Sequence, residues 1–135
     1  MIVLKIITFV IIVILLFYII TKVFFPIVEI CGDSMYPTYA EGEHIITTKI
    51  FSRKHIKLND VLVFKPRDDD RLVIKRVSRM KYKNKNMEIE SIYFLGDNSE
   101  TSFDSRNYGY VSINKVEFKV IAPRSKVLFK NNINF

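Results

Sequence analysis

Residues 1–28 read MIVLKIITFVIIVILLFYIITKVFFPIV, a nearly unbroken apolar run whose only charges are Lys5 and Lys22. How this run is read decides the fold. A helix needs roughly 20 apolar residues to cross the hydrocarbon layer of a bilayer, and the uncharged stretch with its flanks supplies about 25, with a lysine near each end where the amine can snorkel to water. A cleaved secretory signal would require a shorter apolar core followed by a small-residue exit. No alanine occurs before Ala40, so the run reads as an uncleaved signal anchor over 1–25. Lysines on both sides leave its orientation unmarked by charge.

Once this segment is set aside, the remainder has the composition of one modest globular domain, 26–135. After Pro26 the apolar residues fall into short runs of period two or of fully buried character, separated by Gly, Pro, Asn and Asp. These predict strands at 27–31, 44–48, 61–65, 72–80, 87–94, 108–113 and 118–122. PRDDD at 66–70 and KYKNKN at 81–86 read as exposed hairpin turns. The expected fold class is mainly β: a small β domain preceded by one transmembrane helix.

The net charge of +7, from 21 basic and 14 acidic side chains, suits an anionic surface. For a chain tethered to a bilayer, anionic lipid headgroups are the expected partner. A nucleic-acid role is not expected, because no cluster of aromatic residues interleaves with the basic run. No metal site is expected either. Asp68, Asp69 and Asp70 on an extended turn point in different directions, and His44 and His55 have no second histidine at ligand spacing. The single Cys31 has no disulfide partner and reads as a small buried apolar residue.

Two stretches carry possible chemistry. CGDSMYPTYAEGE at 31–43 presses Ser34 between Asp33 and Met35, and RLVIKRV at 71–77 sets Lys75 in an apolar strand. A serine hydroxyl is a poor nucleophile until a base removes its proton. A lysine can be that base only if burial beside apolar groups keeps its amine neutral. On a strand, Lys75 shares a face with Val73 and Val77. From this stretch alone, an exposed lysine with a snorkelling tip is the preferred reading.

GDSMYPT at 32–38, NDVLVFKP at 59–66, VIKRV at 73–77 and LGDNSETSFDSR at 95–106 resemble, in order, the sequence boxes of the bacterial type I signal peptidases, the membrane-anchored Ser-Lys proteases. The resemblance implies Ser34 as nucleophile and Lys75 as general base. It implies Ser102 as the hydroxyl that positions the lysine amine, and Asp104 with Arg106 as the pair supporting the site. It further implies an extended signal peptide of a preprotein laid beside the strands before Ser34 and around Lys75, with Val28, Ile30, Cys31, Met35, Val73 and Ile74 walling shallow pockets for alanine-sized side chains. No cofactor is implied. The implied location is the bacterial cytoplasmic membrane, with the catalytic part on the extracytoplasmic side. Gly32 stands where some members carry a serine hydroxyl that helps the oxyanion hole. Only about 20 residues separate Lys75 from Gly96, room for one hairpin and the size of a minimal catalytic core. The alternative function is a silent, membrane-anchored homologue that binds signal peptides or acts as a scaffold.

Overall fold

The computed structural model describes residues 1–66, 71–83 and 88–123. Asp68, Asp69 and Asp70, residues 84–86 of the second expected turn, and the tail from Ser125 lie outside the described residues.

The apolar run forms a helix, α1, over Ile2–Phe24, whose 23 residues span about 35 Å at 1.5 Å per residue, enough to cross a bilayer core. None of its residues is buried against the other described residues. The two threonine hydroxyls are satisfied inside the helix, Thr8 donating to the Leu4 carbonyl and Thr21 to that of Tyr18, so neither would be left unpaired in lipid. Pro26 cannot continue the helical ladder and restricts Phe25 before it, which ends the helix. The chain is then tied to the sheet at once: Lys49 N–H donates to the Phe24 carbonyl, and Thr47 donates from both its amide and its hydroxyl to that of Pro26.

Among the described residues seven strands follow: β1 Ile27–Glu29, β2 His44–Thr48, β3 Val61–Phe64, β4 Val73–Lys83, β5 Glu88–Leu95, β6 Val111–Ser112 and β7 Val116–Pro123. They form one antiparallel sheet in the order β1-β2-β7-β3-β4-β5-β6. The register shifts at Ile46/Thr47, Val63/Phe64, Val77/Arg79 and Lys81/Tyr82. Such bulges bend and twist strands, and they curl this sheet into a half-barrel. The mainly β expectation is met. Residues 81–83, expected in a turn, instead prolong β4.

One core cluster gathers Leu62, Phe64, Val77, Ile92 and Phe94, with the Phe64 and Phe94 rings stacked at 3.9 Å between centroids. A second joins Ile30, Met35, Tyr39, Ile45 and Val61 beneath the loop that carries Ser34. The strand expected at 108–113 is a correction. Asp104 caps a four-residue helix, α2 (Ser105–Tyr108), in a reciprocal arrangement with Asn107, and Gly109 closes it at φ 78°. Only Val111 and Ser112 remain to pair with β5.

Candidate active site

Ser34 lies in the loop between β1 and β2. Hydrogen bonds from Ile30 N–H to the Glu43 carbonyl and from Gly42 N–H to the Ile30 carbonyl close the loop at its base. Gly32 turns the chain at φ 81°, a left-handed conformation that glycine adopts without penalty. The next side chain after Ser34, Met35, is wholly buried and pins the loop to the core. On the other side, the Ser34 carbonyl accepts from Asn98 N–H at 3.0 Å. The nucleophile candidate is therefore held from two directions.

Lys75 sits opposite Leu62 in the β3–β4 ladder and is 3 % exposed. Its Nζ is hydrogen-bonded to Ser34 Oγ at 2.5 Å. Desolvation lowers the Lys75 pKa, while the charges of Asp104 and Asp97 pull it back up. A buried lysine whose amine is biased towards the neutral form, touching a serine hydroxyl, is an arrangement that can abstract the serine proton.

Asp104 is fully buried. Its carboxylate accepts a two-point bond from Arg106, at 2.9 Å from Nε and 2.7 Å from a terminal nitrogen, and further bonds from the Gly96 and Arg106 amides. Burial pushes its pKa up, but these donors outweigh burial and hold the carboxyl well below the usual range. Ser102 packs beside Gly96 in the same loop. Its buried hydroxyl has no hydrogen-bond partner of good geometry among the described residues, although it lies close enough to Asp104 to favour the ionised carboxylate.

A groove of about 470 Å³ runs past this pair. Of the residues nominated as pocket walls, Val28, Cys31, Val73 and Ile74 line it. Ile30 and Met35 do not: both side chains are buried in the core cluster, because inward-facing positions next to the loop base are needed to anchor it. Cys31 is exposed in the groove, correcting the expectation of a buried apolar residue. Glu29, Asp33, Leu72, Thr101 and Phe103 line the groove as well and were not foreseen. Two strand edges meet this groove unpaired. Among the described residues, β1 is an edge strand bonded only to β2, and β4 finds β5 as a neighbour only from Arg76 onward, which leaves Val73–Lys75 open on that side.

Sequence reasoning also missed Arg76. Its guanidinium clasps Asp97 through two bonds, donates to the Asn59 carbonyl at 2.9 Å and reaches the Thr38 hydroxyl at 3.3 Å. Asp97 is thus the ion-pair partner of a β4 side chain. The clamp fastens β4, the serine loop and the 96–103 loop together. The available signal was an arginine adjacent to Lys75 on the opposite strand face.

The family model described as "Signal peptidase, peptidase S26" matches residues 3–89. A relative named mitochondrial inner membrane protease subunit 1, from Schizosaccharomyces pombe, is 35% identical over 106 residues, 67% of this chain and 68% of that protein. The matched segments, the curled antiparallel sheet and the apolar amino-terminal helix agree with one another. The chain belongs to the signal peptidase family, peptidase S26.

Proposed function

We propose that this chain is a type I signal peptidase, an endopeptidase that removes signal peptides from translocated preproteins by cutting after small residues in an Ala-X-Ala pattern. The observation that carries the reading is the hydrogen bond between Ser34 Oγ and the buried Lys75 amine in a groove flanked by two unpaired strand edges. An extended peptide adds as a strand between β1 and the open part of β4, its backbone satisfying both edges. Neutral Lys75 takes the Ser34 proton, and Oγ attacks the scissile carbonyl. The lysine then delivers the proton to the departing amine, leaving an acyl-enzyme, and the same amine activates the water that releases it.

Among the described residues the Ser34 amide has no hydrogen-bond acceptor, so it is available to the developing oxyanion. Ser102 packs the loop against the site, and Asp104 with Arg106 fixes that loop. The apolar helix anchors the chain in the bacterial cytoplasmic membrane, with the sheet on the extracytoplasmic side where preproteins emerge. Confinement to one surface raises the effective concentration of substrate. The basic surface favours anionic lipid.

The test is cleavage of an Ala-X-Ala preprotein by the full chain in detergent, alongside Ser34→Ala and Lys75→Ala. Both variants are expected to lose at least about a thousandfold in kcat/KM, as removal of a nucleophile or its base does elsewhere. Equal processing by all three chains would refute a serine-lysine peptidase and favour a silent binding homologue.

A further inference from the structure

The groove has a charge pattern at odds with the rest of the molecule. The chain carries +7 overall, yet Glu29 and Asp33 are the two charged groups that share the groove with Lys75. Among the described residues neither carboxylate accepts a hydrogen bond or has an ion-pair partner, and both residues are exposed. Both precede the nucleophile in sequence, Asp33 directly before it and Glu29 at the end of the β1 edge.

Strand geometry says which part of a substrate each carboxylate would meet. Val28 and Ile74 pack on the same core cluster and so wall the groove from the core side. Side chains alternate along a strand, so Glu29 leaves β1 on the other side, where it is exposed. A peptide paired with the β1 edge obeys the same alternation. If its first and third residues before the cut place small side chains against Val28 and Ile74, the middle residue points to the side of Glu29.

We propose that Glu29, assisted by Asp33, makes this groove select a lysine or arginine at the middle position of the Ala-X-Ala segment. The proposal rests on the peptidase reading for the direction of the substrate, and it names a preference at a position that a purely shape-selective groove would ignore. Both carboxylates remain wet, so the preference is moderate and salt-sensitive: about fivefold in kcat/KM between lysine and glutamate at low salt, shrinking towards unity near 1 M salt.

The experiment compares three fluorogenic peptides, Ala-Lys-Ala, Ala-Gln-Ala and Ala-Glu-Ala at the cut, with the full chain in detergent. The expected order of kcat/KM is lysine over glutamine over glutamate. In the Glu29→Gln/Asp33→Asn chain the spread collapses to below about twofold, and Glu29→Asp restores it in part. Equal rates for the three peptides, or a spread that survives the double substitution, overturns the proposal while leaving the peptidase reading intact. Binding of the same peptides to Ser34→Ala, followed by fluorescence anisotropy, separates the two claims. If the wild-type chain cuts none of them but Ser34→Ala still binds lysine over glutamate, charge selection stands and the peptidase reading falls. Equal binding, with no cleavage, overturns both.

Discussion

Gly96 packs so closely on the Ser34 carbonyl oxygen that a β-carbon on it would stand 2.6 Å away, and the same carbon would collide with the Ser102 side chain. Neither neighbour can yield cheaply, because Ser34 is held by Met35 and Asn98, and Ser102 by its own amide bond to the Asn98 carbonyl. Gly96→Ala is therefore expected to cost roughly 1–3 kcal/mol of stability, the range for overpacking a filled site. It should also cut peptidase activity by more than the stability loss explains. Urea unfolding combined with kcat/KM on folded protein measures both, and a fully active, fully stable variant would contradict the packing argument.

The lowered Lys75 pKa makes a paired prediction. Activity should rise with pH through a midpoint below the ordinary lysine value of about 10.4, because only the neutral amine can accept the Ser34 proton. For stability the sign is the same. The unfolded chain binds a proton that the folded chain has already lost between the two pKa values, so this contribution to stability grows with pH across that window. Lys75→Met, which removes the buried amine, should abolish cleavage yet raise the urea midpoint at neutral pH. A midpoint of activity at or above 10.4, or a less stable methionine variant, would count against a desolvated base.

The helix, the β class and the Ser34 and Lys75 candidates were legible because each depends on local signals: an uncharged run of sufficient length, period-two patterning, and short boxes in a fixed order. What escaped depends on segments that meet only after folding. Arg76 and Asp97 are 21 positions apart, and the one local cue, an arginine beside Lys75 on the opposite strand face, does not name its partner. Gly96 makes a close approach to Ser34 and Ser102 that only the folded chain reveals. Cys31 follows the buried Ile30 and was read as buried too, but it lies past the end of β1 in the serine loop and is exposed in the groove. The 108–113 strand was cut short because a carboxylate four residues earlier supplied a helix cap, and the apolar pattern does not record that competition.

Asp104 supplies an acid-stability prediction. Its folded pKa lies below the unfolded value of about 3.9, so the stabilisation is fully present above that pH and is lost as pH falls towards the folded value. Asp104→Asn keeps the shape but removes the charge that Arg106 and the Gly96 amide bind. At pH 7 the substitution should cost about 2–3 kcal/mol, the scale of charge-assisted hydrogen bonds made by a buried group. Urea midpoints of wild type and variant should then draw together progressively as pH falls below about 4. Parallel pH curves would show that the carboxylate's charge contributes nothing.

The last prediction concerns the Arg76 clamp, whose side chain is 28% exposed and that of Asp97 15%. Lysine at this position keeps the positive charge but presents one point donor in place of a planar fork. It cannot hold both Asp97 oxygens while also reaching the Asn59 carbonyl and the Thr38 hydroxyl. Arg76→Lys should lower stability by about 1 kcal/mol, a value already discounted for partial exposure. Its larger effect should fall on kcat, because the clamp spans the lysine strand and the loop that seats Ser34, and small displacements of reacting groups are costly. Asp97→Asn should reproduce the loss, and the double variant should lose little more than either single one, as expected of residues acting as a unit. Strictly additive losses in kcat would mean that the two side chains act separately.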